Sequence, residues 1–238
     1  MSRFDGRVLL LTGAGSGIGR ATALKAAAQG ASVFLTDVAA EPLEETVALA
    51  TEAAGGEASR IDSTVCDVSN EGQAKACVAR SVERFGRLDA LCNNAGVIGY
   101  RNTHEMELAF WRKILSVNLD GTFLMTREAI PHLIETKGTI VNIGSTAGLA
   151  GLAYGAAYSA SKGAIHAFTR AIAVEYAGRG LRAKAISPAS IETNMTHPHP
   201  LPEGANLELL NRLSSLHGPA APDVVADLVL FLVSDEAR

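Results

Sequence analysis

Tyr158 and Lys162 stand four residues apart in a stretch whose apolar residues recur at helical spacing, so both side chains fall on one helix face. A phenol ionises near pH ~10 in water, and a neighbouring ammonium favours the phenolate. The spacing therefore predicts a tyrosine whose pKa is lowered into the range of useful acid and base chemistry. Ser145, at the end of an apolar run that reads as a strand, offers a hydroxyl that could bind a substrate oxygen. Asn118, in a preceding helical stretch, is a candidate to hold a water between Lys162 and bulk solvent. Each has a plain structural alternative when taken alone, since a Tyr/Lys pair at this spacing is a common surface contact and serines are common at strand ends.

A second set of residues suits a phosphate. Thr12-Gly13-Ala14-Gly15-Ser16-Gly17-Ile18-Gly19 leaves an apolar run and enters a helical pattern, where free N–H groups and the helix dipole favour an anion such as a pyrophosphate. The spacing does not satisfy G-x-G-x-x-G, and no Gly-Lys-[Ser/Thr] follows as a P-loop would require. A connection that merely needs positive φ is the alternative. Asp37, at the end of the second apolar run, could accept hydrogen bonds from both adenosine ribose hydroxyls and would repel a 2′-phosphate. Arg20 is expected inside the helix, and no other cation lies within the turn or beside Asp37. NAD is therefore expected over NADP, with a solvated strand end as the other reading of Asp37. Asp67-Val68 and Asn93-Asn94-Ala95-Gly96 follow the third and fourth apolar runs, and Asn94 reads equally as a cofactor contact or as a clip between strands.

These residues need a scaffold that brings strand ends to one edge. Apolar runs at 7–12, 32–37, 63–68, 88–93, 139–143 and 181–187 alternate with helical patterns at 18–28, from Pro42, and at 71–84, 107–119, 121–134, 158–176 and 223–233. That alternation predicts an α/β fold with a doubly wound, Rossmann-like parallel sheet in one domain spanning 1–238. The Pro-rich stretch 193–222, with a short helical pattern at 207–216, is expected to be a substrate lid. Met195, Leu207, Leu210 and Leu213 are candidates for its apolar roof. A length of 238 residues with 47% apolar content suits one buried core, and a formal charge of −4 argues against nucleic acid as a partner. No apolar run reaches the roughly 18 residues of a membrane helix, and the N-terminus has no apolar segment of signal-peptide type. A cytoplasmic location is expected. Cys66, Cys77 and Cys92 form no C-x-x-C, and His197-Pro198-His199-Pro200 has no Cys or acidic cluster beside it, so no metal is expected.

Together these motifs resemble the short-chain dehydrogenase/reductase family from Gly6 to Ser234. The family's T-G-x-x-x-G-x-G turn is matched by Thr12, Gly13, Gly17 and Gly19, its N-N-A-G by Asn93 to Gly96, and its Y-x-x-x-K by Tyr158 to Lys162. Asn118 and Ser145 occupy the positions of its active-site asparagine and serine. The resemblance implies an NAD-dependent oxidoreductase that acts on a small-molecule secondary alcohol or ketone and assembles as a homo-oligomer, a tetramer or dimer. It implies that Tyr158 exchanges the hydroxyl proton, Ser145 orients the oxygen, Lys162 binds the nicotinamide ribose and lowers the tyrosine pKa, and Asn118 maintains the proton relay. It also implies cofactor contacts from Gly13, Gly15, Ser16, Gly17, Ile18, Gly19, Asp37, Asp67, Val68, Asn94, Ala95, Gly96, Tyr158, Lys162, Ile191 and Thr193. Val97, Leu149, Leu152 and Tyr154 would fall around the substrate. The chain departs from the family where Pro188-Ala189 stands for Pro-Gly, and no glycine-containing strand follows the last helix. The competing expectations are a non-catalytic dinucleotide sensor or scaffold, which would not need all four of Asn118, Ser145, Tyr158 and Lys162, and an NADPH-dependent carrier-linked ketoacyl reductase, which Asp37 disfavours.

Overall fold

A computed structural model describes residues 2–196, 199–215 and 218–237. Elements follow in the order β1 (Val8–Thr12), α1 (Gly17–Ala28), β2 (Ser32–Asp37), α2 (Ala40–Ala53), β3 (Ile61–Val65), α3 (Glu71–Phe85), β4 (Ala90–Asn93), α4 (Leu108–Leu115), α5 (Gly121–Thr136), β5 (Thr139–Ile143), α6 (Ala147–Ala150), α7 (Ala156–Tyr176), β6 (Arg182–Ile186), α8 (Leu207–Asn211) and α9 (Pro222–Val233). The strands form one parallel sheet in the order β3-β2-β1-β4-β5-β6. This is the doubly wound arrangement, and its crevice for ligands lies at the carboxyl edge where β1 meets β4 and the winding reverses.

β1 shows why the central strands read as unbroken apolar runs. All five of its residues are buried, and successive side chains point to opposite faces of the sheet. Leu9 and Leu11 pack with Val33 and Leu35 against Ala23, Ala26 and Ala27 of α1 and Val229 and Leu230 of α9. Val8 and Leu10 pack with Phe34 and Leu91 against α3 and α5 on the other face, where Cys77, Val78, Met125 and Leu133 are buried. Each fully buried leucine contributes about 1.5–3 kcal/mol from burial, so both helical layers are needed to cover the strand.

Two sequence-based boundaries shift for reasons set by neighbours. The third strand is Ile61–Val65 and not 63–68, because β2 ends at Asp37, opposite Val65, and offers no further partner. Cys66 N–H makes the last bond to Asp37 O (2.9 Å), and the chain then turns at Asp67–Asn70. The helix expected over 107–119 stops at Leu115 and passes into a π-helical turn, Ser116–Asp120, before α5. Single π-turns within helices are frequent at functional sites, and this one contains the buried Asn118. No helix among the described residues is long and apolar enough to cross a membrane, and no group of three potential metal ligands occurs among them. His197, Pro198, Leu216 and His217 lie outside the described residues.

Candidate active site

The carboxyl ends of β1, β4, β5 and β6 open into a cleft of about 640 Å³, a size suited to small organic ligands. Of the residues singled out in the sequence, Gly13, Ser16, Ile18, Asp37, Asn94, Ala95, Gly96, Ser145, Tyr158, Lys162, Ile191 and Thr193 line it. The glycine turn forms one end. Gly13 has φ +63°, and a Cβ there would sit 2.8 Å from Ala95 Cα, so only glycine lets β1 and the loop after β4 close at this point. Gly19 packs directly beneath the Gly13 carbonyl and the Asn94 amide. Asn94 Nδ2 donates to that carbonyl (3.0 Å), while the backbone N–H groups of Asn94 and Ala95 both donate to Thr12 Oγ1 at 3.0 Å. The clip reading of Asn94 thus holds, and Asn94 lines the cleft as well. Ser16 occupies the N-cap of α1 without a side-chain capping bond, and the first turn holds no acidic residue. The leading N–H groups of the helix thus suit an anion.

Asp37 Oδ2 accepts from Gly15 N–H (2.9 Å) and Oδ1 from Ala39 N–H (3.0 Å), which points the carboxylate into the same end of the cleft. Arg20 is helical, as its position suggested, yet its guanidinium folds back beneath the turn. It donates to Gly15 O (2.7 Å) and Thr46 Oγ1 (2.9 Å) and pairs with Glu45 at 2.6 Å. The cation is therefore committed to bracing the turn and neutralised by its own partner. Gly15, Gly17 and Gly19 are not among the lining residues; a Cβ on Gly15 would meet Asp37 and Pro42, and one on Gly17 would meet Thr193. Asp67 and Val68 do follow β3, but Asp67 Oδ1 accepts from Ser69 (2.9 Å from N–H, 2.6 Å from the hydroxyl) and Val68 is buried against Gly121.

Ser145, Tyr158 and Lys162 line the same cleft. Tyr158 and Lys162 face it from α7, with Lys162 Nζ 5.7 Å from the tyrosine ring centroid and donating to Ile143 O at 2.7 Å. Ser145 lies just past β5, where its Oγ accepts from Ala147 N–H (3.1 Å). Tyr158 is 7% exposed and Lys162 3%. Burial raises the Tyr158 pKa above its ordinary value, with a Ser145 hydrogen bond pulling the other way, and burial brings Lys162 down to about 8. This corrects the expectation that the ammonium lowers the tyrosine. Desolvation is the largest influence on both groups and pushes each towards its neutral form.

Asn118 is fully buried behind the cleft. Its Oδ1 accepts from Val97 N–H (2.7 Å), and its Nδ2 donates to Val97 O and to Ser161 Oγ, both at 3.0 Å. Both amide hydrogens are used in clamping the loop after β4 to α7, so a water held by Asn118 would have to use a remaining lone pair or the backbone carbonyl. A Cβ on Gly96 would lie 3.2 Å from this Oδ1 and 3.5 Å from Lys162 Nζ, which shows how closely clamp and lysine approach. Further in, Asn93 Nδ2 donates to Asn142 Oδ1 (2.9 Å) and Asn142 Nδ2 to Thr169 Oγ1 (2.9 Å), a buried ladder that ties β4 and β5 to α7.

The remaining end of the cleft is lined by Ile98, Tyr100, Leu152, Met195, His199, Leu201, Leu210 and Leu213. The sequence pointed to Leu152, Met195, Leu210 and Leu213, whereas nothing in residue type or spacing marked Ile98 or Tyr100. Val97 packs in the cluster around Tyr158. Leu149 is 68% exposed, and neither it nor Tyr154 is among the lining residues, so the resemblance misplaced both side chains. Asp37 and Lys162 are the charged side chains among the described lining residues.

A doubly wound sheet with a glycine turn at its switch point and a buried Tyr/Lys pair over the carboxyl edge defines a dinucleotide-fold oxidoreductase. The chain belongs to the short-chain dehydrogenase family, whose model matches residues 7–203. It is 38% identical over 236 residues to a 3-oxoacyl-[acyl-carrier-protein] reductase of Thermotoga maritima, covering 99% of this chain and 93% of that one. To meso-2,3-butanediol dehydrogenase of Serratia marcescens it is 37% identical over 235 residues, with coverage of 99% and 90%. The crystal structure of a short chain dehydrogenase from Mycobacterium paratuberculosis bound to NAD superposes with a TM-score of 0.89 at 30% identity, covering 99% of this chain and 94% of that one. These relatives include oxidoreductases that act on CH–OH groups.

Proposed function

We propose that this protein is an NAD-dependent oxidoreductase that interconverts a neutral secondary alcohol and its ketone, with Tyr158, Ser145, Lys162 and Asn118 as the working residues. One observation carries the reading. The Tyr158 hydroxyl, the Ser145 hydroxyl and the Lys162 ammonium line a single cleft whose other end is the glycine turn and Asp37. The turn fits a dinucleotide, because it presents an uncapped helix N-terminus and glycines whose side-chain positions are closed by neighbouring atoms. Asp37, whose neighbour across the turn, Arg20, is paired with Glu45, supports NAD over NADP.

The dinucleotide, when bound, supplies the hydride acceptor or donor. The chain supplies the rest. Gly13, Ser16, Ile18, Asn94, Ala95, Gly96, Ile191 and Thr193 hold the cofactor along the cleft, and Gly15, Gly17 and Gly19 give the turn its shape. Ser145 hydrogen-bonds the substrate oxygen. Tyr158 takes the hydroxyl proton when the alcohol is oxidised and returns it to the carbonyl oxygen when the ketone is reduced. Lys162 binds the ribose nearest the reacting carbon, and Asn118 positions the Gly96–Val97 wall against it. A phenol is protonated at neutral pH, and burial raises the Tyr158 pKa further, so the free enzyme carries the proton that ketone reduction consumes, and alcohol oxidation is favoured under alkaline conditions. The far end, lined mostly by apolar side chains with Tyr100 and His199 among them, suits neutral substrates. A spectrophotometric panel of neutral secondary alcohols, diols and cyclic ketones with NAD(H) and NADP(H) tests the reading. Turnover with NAD(H) is expected, and inertness across the panel despite tight NAD binding would replace it with the sensor reading.

A further inference from the structure

Tyr154 is one of two non-glycine residues with positive φ among those described, at +63°. The other, Lys137, caps the C-terminus of α5, where the left-handed conformation is common. Tyr154 has no such reason, since it lies in the turn between α6 and α7. A side chain is kept in this backbone region only where its surroundings hold it.

Those surroundings are the walls of the substrate end. Tyr154 O accepts from Arg101 N–H (2.8 Å), the residue after the cleft-lining Tyr100. The Tyr154 phenol oxygen accepts from the backbone N–H of Asn206 (2.8 Å). Asn206 is the N-cap of α8, where its Oδ1 accepts from Glu208 N–H (2.8 Å). α8 and the turn after it carry Leu210 and Leu213, which roof the cleft. One residue thus joins the loop after β4, the approach to the helix bearing Tyr158, and the first turn of the roof. Its side chain is not in the chamber.

From this geometry we infer that Tyr154 is a positioning residue. It fixes the height of the roof over the substrate and thereby limits the bulk of the ketone or alcohol admitted. The inference rests on the proposal that this end of the cleft holds the substrate. The positive φ aims the phenol at Asn206, and loss of the hydroxyl frees α8 to lift.

The test is Tyr154→Phe, which keeps the ring and removes the acceptor, with Tyr154→Gly as a second variant that also relieves the backbone conformation. Two measurements are made on the full chain. Amide hydrogen exchange over 206–211 is expected to quicken about 3- to 10-fold, the loss of one hydrogen bond, while exchange in α1 is unchanged. The ratio of kcat/KM for a bulky neutral cyclic ketone to that for a small acyclic one is expected to rise by a similar factor, through the KM of the bulky substrate, with the KM for NADH unchanged. Unaltered exchange overturns the inference, as does faster exchange with an unchanged ratio, which would make Tyr154 a structural tether only. Should the wild type turn over no neutral ketone at all, the functional proposal fails on its own, and the exchange result still decides whether Tyr154 holds the roof.

Discussion

Replacing Lys162 by methionine is expected to stabilise the cofactor-free protein in a pH-dependent way while abolishing turnover. The ammonium is buried against the Ile143 carbonyl, and burial lowers its pKa from an ordinary 10.5 to about 8. Below pH 8 both folded and unfolded chains carry the proton, and the folded state bears the full cost of a buried charge, roughly 3 kcal/mol for a shift of this size. Between pH 8 and 10.5 the folded state releases its proton first. The unfolded state then binds more protons, so wild-type stability climbs with pH until the cost disappears. Lys162→Met has no such cost at any pH, and it forgoes a hydrogen bond worth about 1 kcal/mol throughout. Urea unfolding of both proteins from pH 7 to 10 measures the difference, in which groups common to both largely cancel. The variant should be ahead by roughly 2 kcal/mol at pH 7 and lose that lead as the pH approaches 10. A difference independent of pH would refute the claim that burial depresses this lysine.

Two further outcomes follow from the site. Asp37→Ser should reduce the preference of kcat/KM for NAD over NADP by at least about tenfold, since it removes the carboxylate that favours the ribose hydroxyls and repels a 2′-phosphate; an unchanged ratio in steady-state kinetics would contradict the assignment. Alcohol oxidation should rise from pH 7 to pH 9 and above, while ketone reduction stays flat or declines over the same range. Burial raises the Tyr158 pKa above that of an ordinary phenol and brings Lys162 down to about 8, and parallel profiles in the two directions would count against Tyr158 as the proton carrier.

The sheet was legible because its central strands are covered on both faces, which forces runs such as Val8–Thr12 to be apolar throughout. The cleft was legible because a tight turn restricts residue type at Gly13 and Gly19, Asp37 closes an apolar run, and helical spacing puts Tyr158 and Lys162 on one face of α7. What stayed hidden depends on neighbours distant in sequence. The end of β3 is set by where β2 stops. Asn118 was marked by type, but its π-helical turn and its clamp on Val97 depend on a loop in another part of the chain. The protonation balance of Tyr158 and Lys162 was misjudged because spacing reveals proximity and not depth of burial. Nor does residue type reveal that Tyr154 adopts positive φ, since the contacts that hold it come from Arg101 and Asn206.

Tyr158→Phe removes the one oxygen proposed to move the proton beside a bound NAD. Turnover should be measured beside NAD affinity, by fluorescence titration, on the same preparation. NAD binding is expected within a few-fold of wild type with a fall in kcat of about 10²- to 10⁴-fold; a variant that binds NAD and still oxidises the alcohol at close to the wild-type rate would remove Tyr158 from the proton transfer.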